Sequence, residues 1–219
     1  MRKISEYFEN FDILENTNYF PRDKWNEKIL CISNNIQEIS ELFFNSCIET
    51  INNSNYDITI VNKQIGGKAD LVIKAYQLSI IIDYLTHYIK PTEGKEFVEM
   101  LFHQVFGKYY KKGSNFVLCY MELRKTTLHK KIYYFSSDVA KYICGYHSDE
   151  LPTKFPCLRS YLSNGVPRTI LARTDTTACS LLIGNIVTKL YNATIMALAV
   201  CFEEKAWTDD FKSHIDSYF

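Results

Sequence analysis

Arg124 and His129 are the two residues of this sequence best suited to chemistry on a phosphodiester. They lie in the segment MELRKTTLH, residues 121–129. Arginine keeps its charge at physiological pH, and histidine titrates near neutrality. The guanidinium can bind a phosphate through two hydrogen bonds and stabilise the charge of a pentacovalent transition state. The imidazole can move a proton to or from the 2′-hydroxyl or the leaving oxygen. Together these groups suffice for RNA cleavage without a metal.

This Arg-x4-His motif follows an apolar-Leu turn in a chain whose patterns are helical, and it resembles the HEPN superfamily of helical-bundle ribonucleases. The resemblance covers residues 124–129 and the general fold class. It implies a toxin- or defence-type endoribonuclease in which Arg124 binds phosphate and His129 is the general acid or base. It also implies a homodimer with the site at its interface. The family usually has Asn, Asp or His directly after the arginine, where this chain has Lys125.

The spacing of the pair sets a geometric condition. Positions five apart on one continuous helix point about 140° away from each other. Arg124 and His129 therefore converge only at a helix end or across a dimer groove. The alternative interpretation is a surface arginine and a surface histidine on one helix, with no shared function.

One neighbourhood combines basic and aromatic residues around this motif. Cationic side chains bind phosphates, and aromatic rings stack on unpaired bases. If the two segments meet in space, they form a local positive patch around Arg124 and His129. The residues predicted to bind nucleic acid are Lys111, Lys112, Lys125, Lys130, Lys131 and Tyr133. The alternative is two solvated helix ends.

Three histidines have an acidic residue four positions earlier. On a helix such pairs share a face and could ligate a metal, although an acid before a histidine also stabilises an exposed helix. Carboxylate-bridged di-iron bundles favour a spacing of three, which these pairs lack. We therefore expect no metal and no cofactor. The pairs are Asp83/His87, Glu99/His103 and Asp210/His214.

Cys144, His147 and Cys157 form a weaker candidate for zinc binding or for thiol nucleophilic chemistry. A structural zinc site normally shows two close pairs of ligands, and this segment has one. The seven cysteines are odd in number and lack a CxxC pair, so a disulfide framework is not expected. Four of them, Cys31, Cys47, Cys179 and Cys201, lie in apolar helical patterns, where free cysteine acts as a small hydrophobe. This usage favours a reducing cytoplasm.

Composition excludes a disordered, collagenous or low-complexity chain. The chain has 219 residues, of which 47% are hydrophobic and 23% charged, as in soluble globular proteins. Its 25 basic and 25 acidic residues leave no net charge, so contact with nucleic acid requires a local patch. The N-terminus lacks the apolar core of a signal peptide. Common glycine-rich nucleotide-binding, metalloprotease and serine-hydrolase motifs are missing.

Apolar periodicity predicts the elements that must position these residues. Spacings of three and four predict long helices at about 22–52, 69–90, 93–111 and 175–205, with the third stopped near Gly113 and Asp175 as the N-cap of the fourth. A shorter helix is expected from Ser136 to about Cys144, and residues 116–121 favour a helix. Residues 145–173 are expected to be irregular, and alternation over 56–61 predicts a short extended segment.

The sum is a single mostly α domain over residues 1–219, a bundle of about six to seven helices with one or two short extended segments. The apolar stretch 181–202 contains Asn185, Lys189 and Asn192, which favours a buried central helix over a membrane span. Two functions remain open beside a metal-binding bundle. One is the HEPN-like, metal-independent RNA endonuclease, and the other is a non-catalytic module that binds a protein partner.

Overall fold

A computed structural model describes the backbone of residues 19–124, 128–145 and 168–202, and the side chains of these residues except at 124, 128–130 and 168–174. This part of the chain is mostly helical and contains no β-strand. The mostly α class is therefore confirmed. The total of six to seven helices and the short extended segments stay predictions. The α-helices are α1 (Trp25–Asn52), α2 (Gly67–Leu85), α3 (Pro91–Phe106), α4 (Tyr110–Arg124), α5 (Leu128–Ile143) and α6 (Arg168–Cys201), and short 3₁₀ turns occupy Arg22–Lys24 and Gly107–Tyr109.

Helix α1 has the amphipathic character that its sequence predicts. The apolar residues spaced four and three apart all lie on its buried face. Burial of this stripe supplies the hydrophobic free energy that a helix of this length needs to be stable in water. The stripe consists of Trp25, Ile29, Ile32, Ile36, Ile39 and Phe43.

The central helix of the bundle is α2. It packs against each of the other α-helices, and every residue from Ala75 to Ile82 is buried. The sequence analysis assigned this position to the apolar stretch 181–202, and that expectation is wrong. A helix that is apolar around its whole circumference belongs at the centre of a bundle, whereas α6 has an exposed side that includes Leu181 and Asn185.

The predicted helix over 93–111 is two helices. Helix α3 ends at Phe106, where Gly107 adopts a φ of 50°, and α4 begins at Tyr110. Gly113, predicted to end a helix, lies inside α4. A Cβ atom at this position would lie 2.4 Å from the ring of Phe106, so glycine is required for close packing of the two segments.

Helix α6 begins at Arg168, so the predicted irregular segment 145–173 is helical at its C-terminal end. Asp175 is not an N-cap but lies inside the helix, and its carboxylate accepts a hydrogen bond of 3.0 Å from the backbone N–H of Thr59. Residues Asp175–Cys201 are long and apolar enough to cross a membrane, and half of the most apolar stretch is buried within the fold. In this structure α6 packs mainly against α1 and α5.

The connection between α1 and α2 is hydrogen-bonded to the C-terminal end of α5. The backbone N–H groups of Val61 and Asn62 donate to the carbonyl oxygen of Ile143 at 2.8 and 3.1 Å. The Tyr142 hydroxyl donates to the carbonyl of Gln64. These bonds satisfy polar backbone groups at the end of the bundle where α2 begins.

Candidate functional site

Helices α4 and α5 form an antiparallel hairpin. Three residues separate their ends, so the end of α4 lies close to the start of α5. Further from the connection, the rings of Tyr120 and Phe135 meet edge to face, with their centroids 6.1 Å apart. The Tyr120 hydroxyl lies 3.5 Å from a carboxylate oxygen of Asp138. We call the end of this hairpin, residues 124–129, the hairpin tip.

The hairpin tip contains both residues of the Arg-x4-His motif. Arg124 is the last residue of α4, and His129 is the second residue of α5. The side chains of both lie outside the described part of the structure, as does all of Lys125. Because the two residues belong to different helices, they are not held in the divergent directions that one continuous helix imposes. The backbone therefore places both residues at helix ends, which is one of the two arrangements in which their side chains can converge.

A buried aromatic cluster holds the hairpin against α2. The ring of Tyr76 stacks on Phe135 at 4.2 Å and contacts Tyr120 edge to face at 5.8 Å. Such pairs contribute about 0.5–1.5 kcal/mol beyond their area burial. Burial raises the pKa of both tyrosine hydroxyls, and the charges near Tyr120, chiefly Asp138, raise that of Tyr120 further. Both rings therefore remain neutral packing elements at physiological pH.

Lys131 does not belong to the exposed basic surface in which the sequence analysis placed it. Its side chain is 4% exposed, and its ammonium nitrogen lies 5.1 Å from the centroid of the Tyr76 ring. Its aliphatic stem is buried between α5 and α2, which is how lysine packs at such positions. Lys131 thus packs in the interior, in the contact between the hairpin and α2.

The remaining basic and aromatic residues lie at both ends of the hairpin. Lys111 and Lys112 are exposed in the first turn of α4, about 20 Å along the helix from Arg124. Lys130 follows His129 in α5, with its side chain outside the description. Tyr133 is 63% exposed and is in edge-to-face contact with Tyr134. Lys130 and Tyr133 are therefore near His129 along α5, whereas Lys111 and Lys112 lie at the other end of α4 from Arg124.

The two acid and histidine pairs that the structure describes form no shared cluster of metal ligands. Asp83 is in α2, but His87 lies in the turn after it, so the two do not share a helical face. Glu99 and His103 are both on α3, where the His103 ring stacks on Tyr110 at 3.9 Å. Asp210 and His214 lie outside the described residues, as do His147 and Cys157. No group of three potential metal ligands occurs in the part of the chain that the structure describes.

The sequence analysis missed a disulfide between Cys31 and Cys201. It joins α1 to the last residue of α6, with Cα atoms 5.9 Å apart and a sequence separation of 170. The side-chain amide of Asn35 donates toward both sulfurs, at 3.2 Å to Cys201 and 3.8 Å to Cys31. Both cysteines lie in apolar helical patterns, so no feature of the sequence distinguishes them from free core thiols.

Comparison of the chain with protein-family models, with curated protein sequences and with solved structures finds no match. The class that the fold defines is a mostly α helical bundle. The likeness to the HEPN superfamily remains a resemblance that depends on Arg124 and His129.

Proposed function

We propose that this protein is a HEPN-like, metal-independent RNA endonuclease whose reacting groups are Arg124 and His129. The observation that carries the proposal is their placement on consecutive helix ends at the hairpin tip. The chemistry of the two residue types supplies the rest. Arg124 binds the scissile phosphate and stabilises the transition-state charge, while His129 transfers a proton at the 2′-hydroxyl or the leaving oxygen.

The surroundings of the hairpin tip support an RNA substrate. Lys130 lies next to His129 in sequence, and the exposed ring of Tyr133 lies one turn further along α5. Exposed tyrosine rings stack on unpaired bases, and lysines neutralise phosphates. Because the formal net charge is zero, RNA binding is localised at this surface instead of being driven by a global field.

The proposal includes a homodimer, as the resemblance implies. Tyr134 is 51% exposed on α5, and tyrosine is enriched in protein interfaces. Sedimentation equilibrium of the native chain and of a Tyr134→Ser variant tests this part. A native chain that stays monomeric at every concentration contradicts it.

The experiment for the activity is incubation of a mixed pool of structured and single-stranded RNA with the protein in EDTA. The native chain is compared with the Arg124→Ala and His129→Ala variants. Lys95→Ala is the matched control, because Lys95 is an exposed cation on α3 and belongs to no predicted site. We expect cleavage by the native chain and the control, and loss of cleavage in both motif variants. Absence of cleavage by folded native protein excludes the activity on those substrates.

A further inference from the structure

The two halves of the Cys31–Cys201 disulfide differ in exposure and in hydrogen bonding. Cys31 is partly buried on α1, whereas Cys201, the last residue of α6, is 2% exposed. The side-chain amide nitrogen of Asn35 lies 3.2 Å from the Cys201 sulfur and 3.8 Å from the Cys31 sulfur. The more exposed cysteine is therefore not the one with the closer hydrogen-bond donor.

We propose that this disulfide is a reversible thiol–disulfide exchange site, at which a low-molecular-weight thiol attacks the Cys31 sulfur and Cys201 leaves as the thiolate. The rate of such an exchange depends on access to the attacked sulfur and on the stability of the leaving thiolate. Cys31 meets the first condition better, and Cys201 meets the second. The bond joins α1 to α6 and includes no residue of the hairpin tip, so the inference is independent of the proposed RNA cleavage.

Asn35 stabilises the charge that develops on Cys201. In the intact disulfide the sulfur is an uncharged, weak acceptor. A thiolate in the same place accepts a charge-assisted hydrogen bond, which is about twice as strong as a neutral one. Asn35 lies one helical turn after Cys31 on α1, so the helix holds its amide beside the bond that breaks. The contact therefore strengthens as Cys201 leaves.

Two thiol molecules complete the reduction. The first, as its thiolate, attacks the Cys31 sulfur and forms a mixed disulfide. The Cys31–Cys201 bond breaks, and its electron pair leaves on Cys201, which then takes up a proton. A second thiolate attacks the external sulfur of the mixed disulfide, and Cys31 leaves as a thiolate and is protonated in turn. The protein disulfide is reduced to two thiols, and two thiol molecules are oxidised to one small-molecule disulfide.

The packing beside the disulfide makes the exchange reversible. Phe202 follows Cys201, and its ring stacks on Tyr88 at 4.3 Å and meets Phe20 edge to face at 5.4 Å. These contacts involve neither sulfur, so they hold the end of α6 against the fold when the bond is reduced. Cys31 and Cys201 thus stay close, and the step that reforms their bond is intramolecular and has a high effective concentration.

Reduction of the folded, full-length native chain by glutathione tests this proposal. Samples taken over time are quenched with a thiol-alkylating reagent, and the unreduced digests are analysed by mass spectrometry. We expect two free thiols to appear at Cys31 and Cys201, and the linked peptide to return when oxidised glutathione replaces the reductant. A disulfide that glutathione does not reduce until the chain unfolds overturns the proposal. Because this measurement uses the native sequence, it does not depend on any variant folding.

Single-cysteine variants identify the sulfur that the small thiol reaches. In Cys201→Ala, oxidised glutathione should form a mixed disulfide with Cys31, which peptide mapping locates. In Cys31→Ala, Cys201 should stay unmodified under the same conditions, because it is buried. Modification of Cys201 at the rate of Cys31, or faster, overturns the assignment of Cys31 as the attacked sulfur.

Two asparagine variants test the stabilisation of the leaving thiolate. Asn35→Leu should slow the reduction by about 3- to 10-fold, because one hydrogen bond to a charged sulfur is lost. Asn34→Leu is the matched control, since Asn34 is the exposed neighbour on the same helix, and it should be reduced at the native rate. Equal rates of reduction in Asn35→Leu and in the native chain would contradict the role of Asn35.

Discussion

The ammonium nitrogen of Lys131 lies 5.1 Å from the centroid of the Tyr76 ring, in the buried contact between α5 and α2. A lysine that looks in the sequence like part of an RNA-binding surface is therefore a core residue. It lies two positions after His129, and Tyr76 stacks in turn on Phe135. The start of α5 is thus positioned by the central helix.

This contact predicts that Lys131 contributes to stability. Lys131→Ala should lower the free energy of unfolding by about 2–3 kcal/mol, because it removes a buried stem and a desolvated cation–π contact. Lys131→Met, which keeps the stem, should cost less. Denaturant unfolding measures both, with the exposed Lys112→Ala as a control expected within about 0.5 kcal/mol of the native chain. Equal stability of Lys131→Ala and Lys112→Ala would contradict the buried placement.

Gly113 in α4 and Gly184 in α6 should respond oppositely to alanine. At Gly113 a Cβ atom would lie 2.4 Å from the Phe106 ring, so Gly113→Ala should destabilise by about 1–3 kcal/mol. At Gly184 the nearest atom would be 3.7 Å away, which is ordinary contact. Gly184→Ala should therefore stabilise by about 0.5–1 kcal/mol through helix propensity. Thermal unfolding of both variants checks the prediction, and shifts in the same direction would count against the packing described.

Sequence periodicity predicted the helical elements well where one face of a helix is apolar. The α1 stripe from Trp25 to Phe43 follows directly from spacings of three and four. It failed where tertiary contacts decide the outcome. Gly113 was predicted to end a helix because glycine has low helix propensity. Its close packing against the Phe106 ring nevertheless requires glycine at this position inside α4. Helix α2 is central because all the other α-helices pack around it. The apolar periodicity of a helix shows which of its faces are buried but not which helices surround it.

Buried tyrosines predict a loss of stability at alkaline pH. The pKa of Tyr76 is raised in the folded state, so the unfolded chain ionises first as the pH rises through about 10. The contribution of neutral Tyr76 to the free energy of unfolding is thus fully present below pH 10 and is lost progressively as the pH rises above 10. Between about pH 8 and pH 10.5 the native chain should lose about 1 kcal/mol more than Tyr76→Phe does. Unfolding in urea at the two pH values measures this, and parallel pH dependence of the two proteins would exclude it.

The Cys31–Cys201 disulfide predicts a redox-dependent stability. Reduction, or the Cys31→Ser/Cys201→Ser variant, should lower the free energy of unfolding by about 2–4 kcal/mol, because the bond restricts the unfolded chain. Cys119→Ser is the control and should have little effect. Guanidinium unfolding with and without reductant makes the comparison. In a compartment that keeps thiols reduced this contribution would be missing. Alkylation of both Cys31 and Cys201 in the unreduced native chain would contradict the bond.

The candidate site was predictable from the sequence as a pair of residues, but its setting was not. The types of Arg124 and His129 indicate phosphodiester chemistry, and their spacing of five requires either a helix end or a dimer groove. Helix α4 ends at Arg124 and α5 begins at Leu128, and the rings of Tyr120 and Phe135 pack between the two helices. The burial of Lys131 and the separation of Lys111 and Lys112 from the tip follow from this antiparallel arrangement.

End-group analysis of a defined RNA tests the proposed cleavage most directly. A 5′-labelled RNA and its fully 2′-deoxy counterpart are incubated with the native chain in EDTA, and the product ends are identified. Attack by the 2′-hydroxyl predicts 2′,3′-cyclic phosphate ends from the RNA and no cleavage of the deoxy strand. Arg124→Ala and His129→Ala should each lower the rate by about 10²-fold or more. Cleavage of both strands, or equal rates in native and variant proteins, would contradict the role of Arg124 and His129.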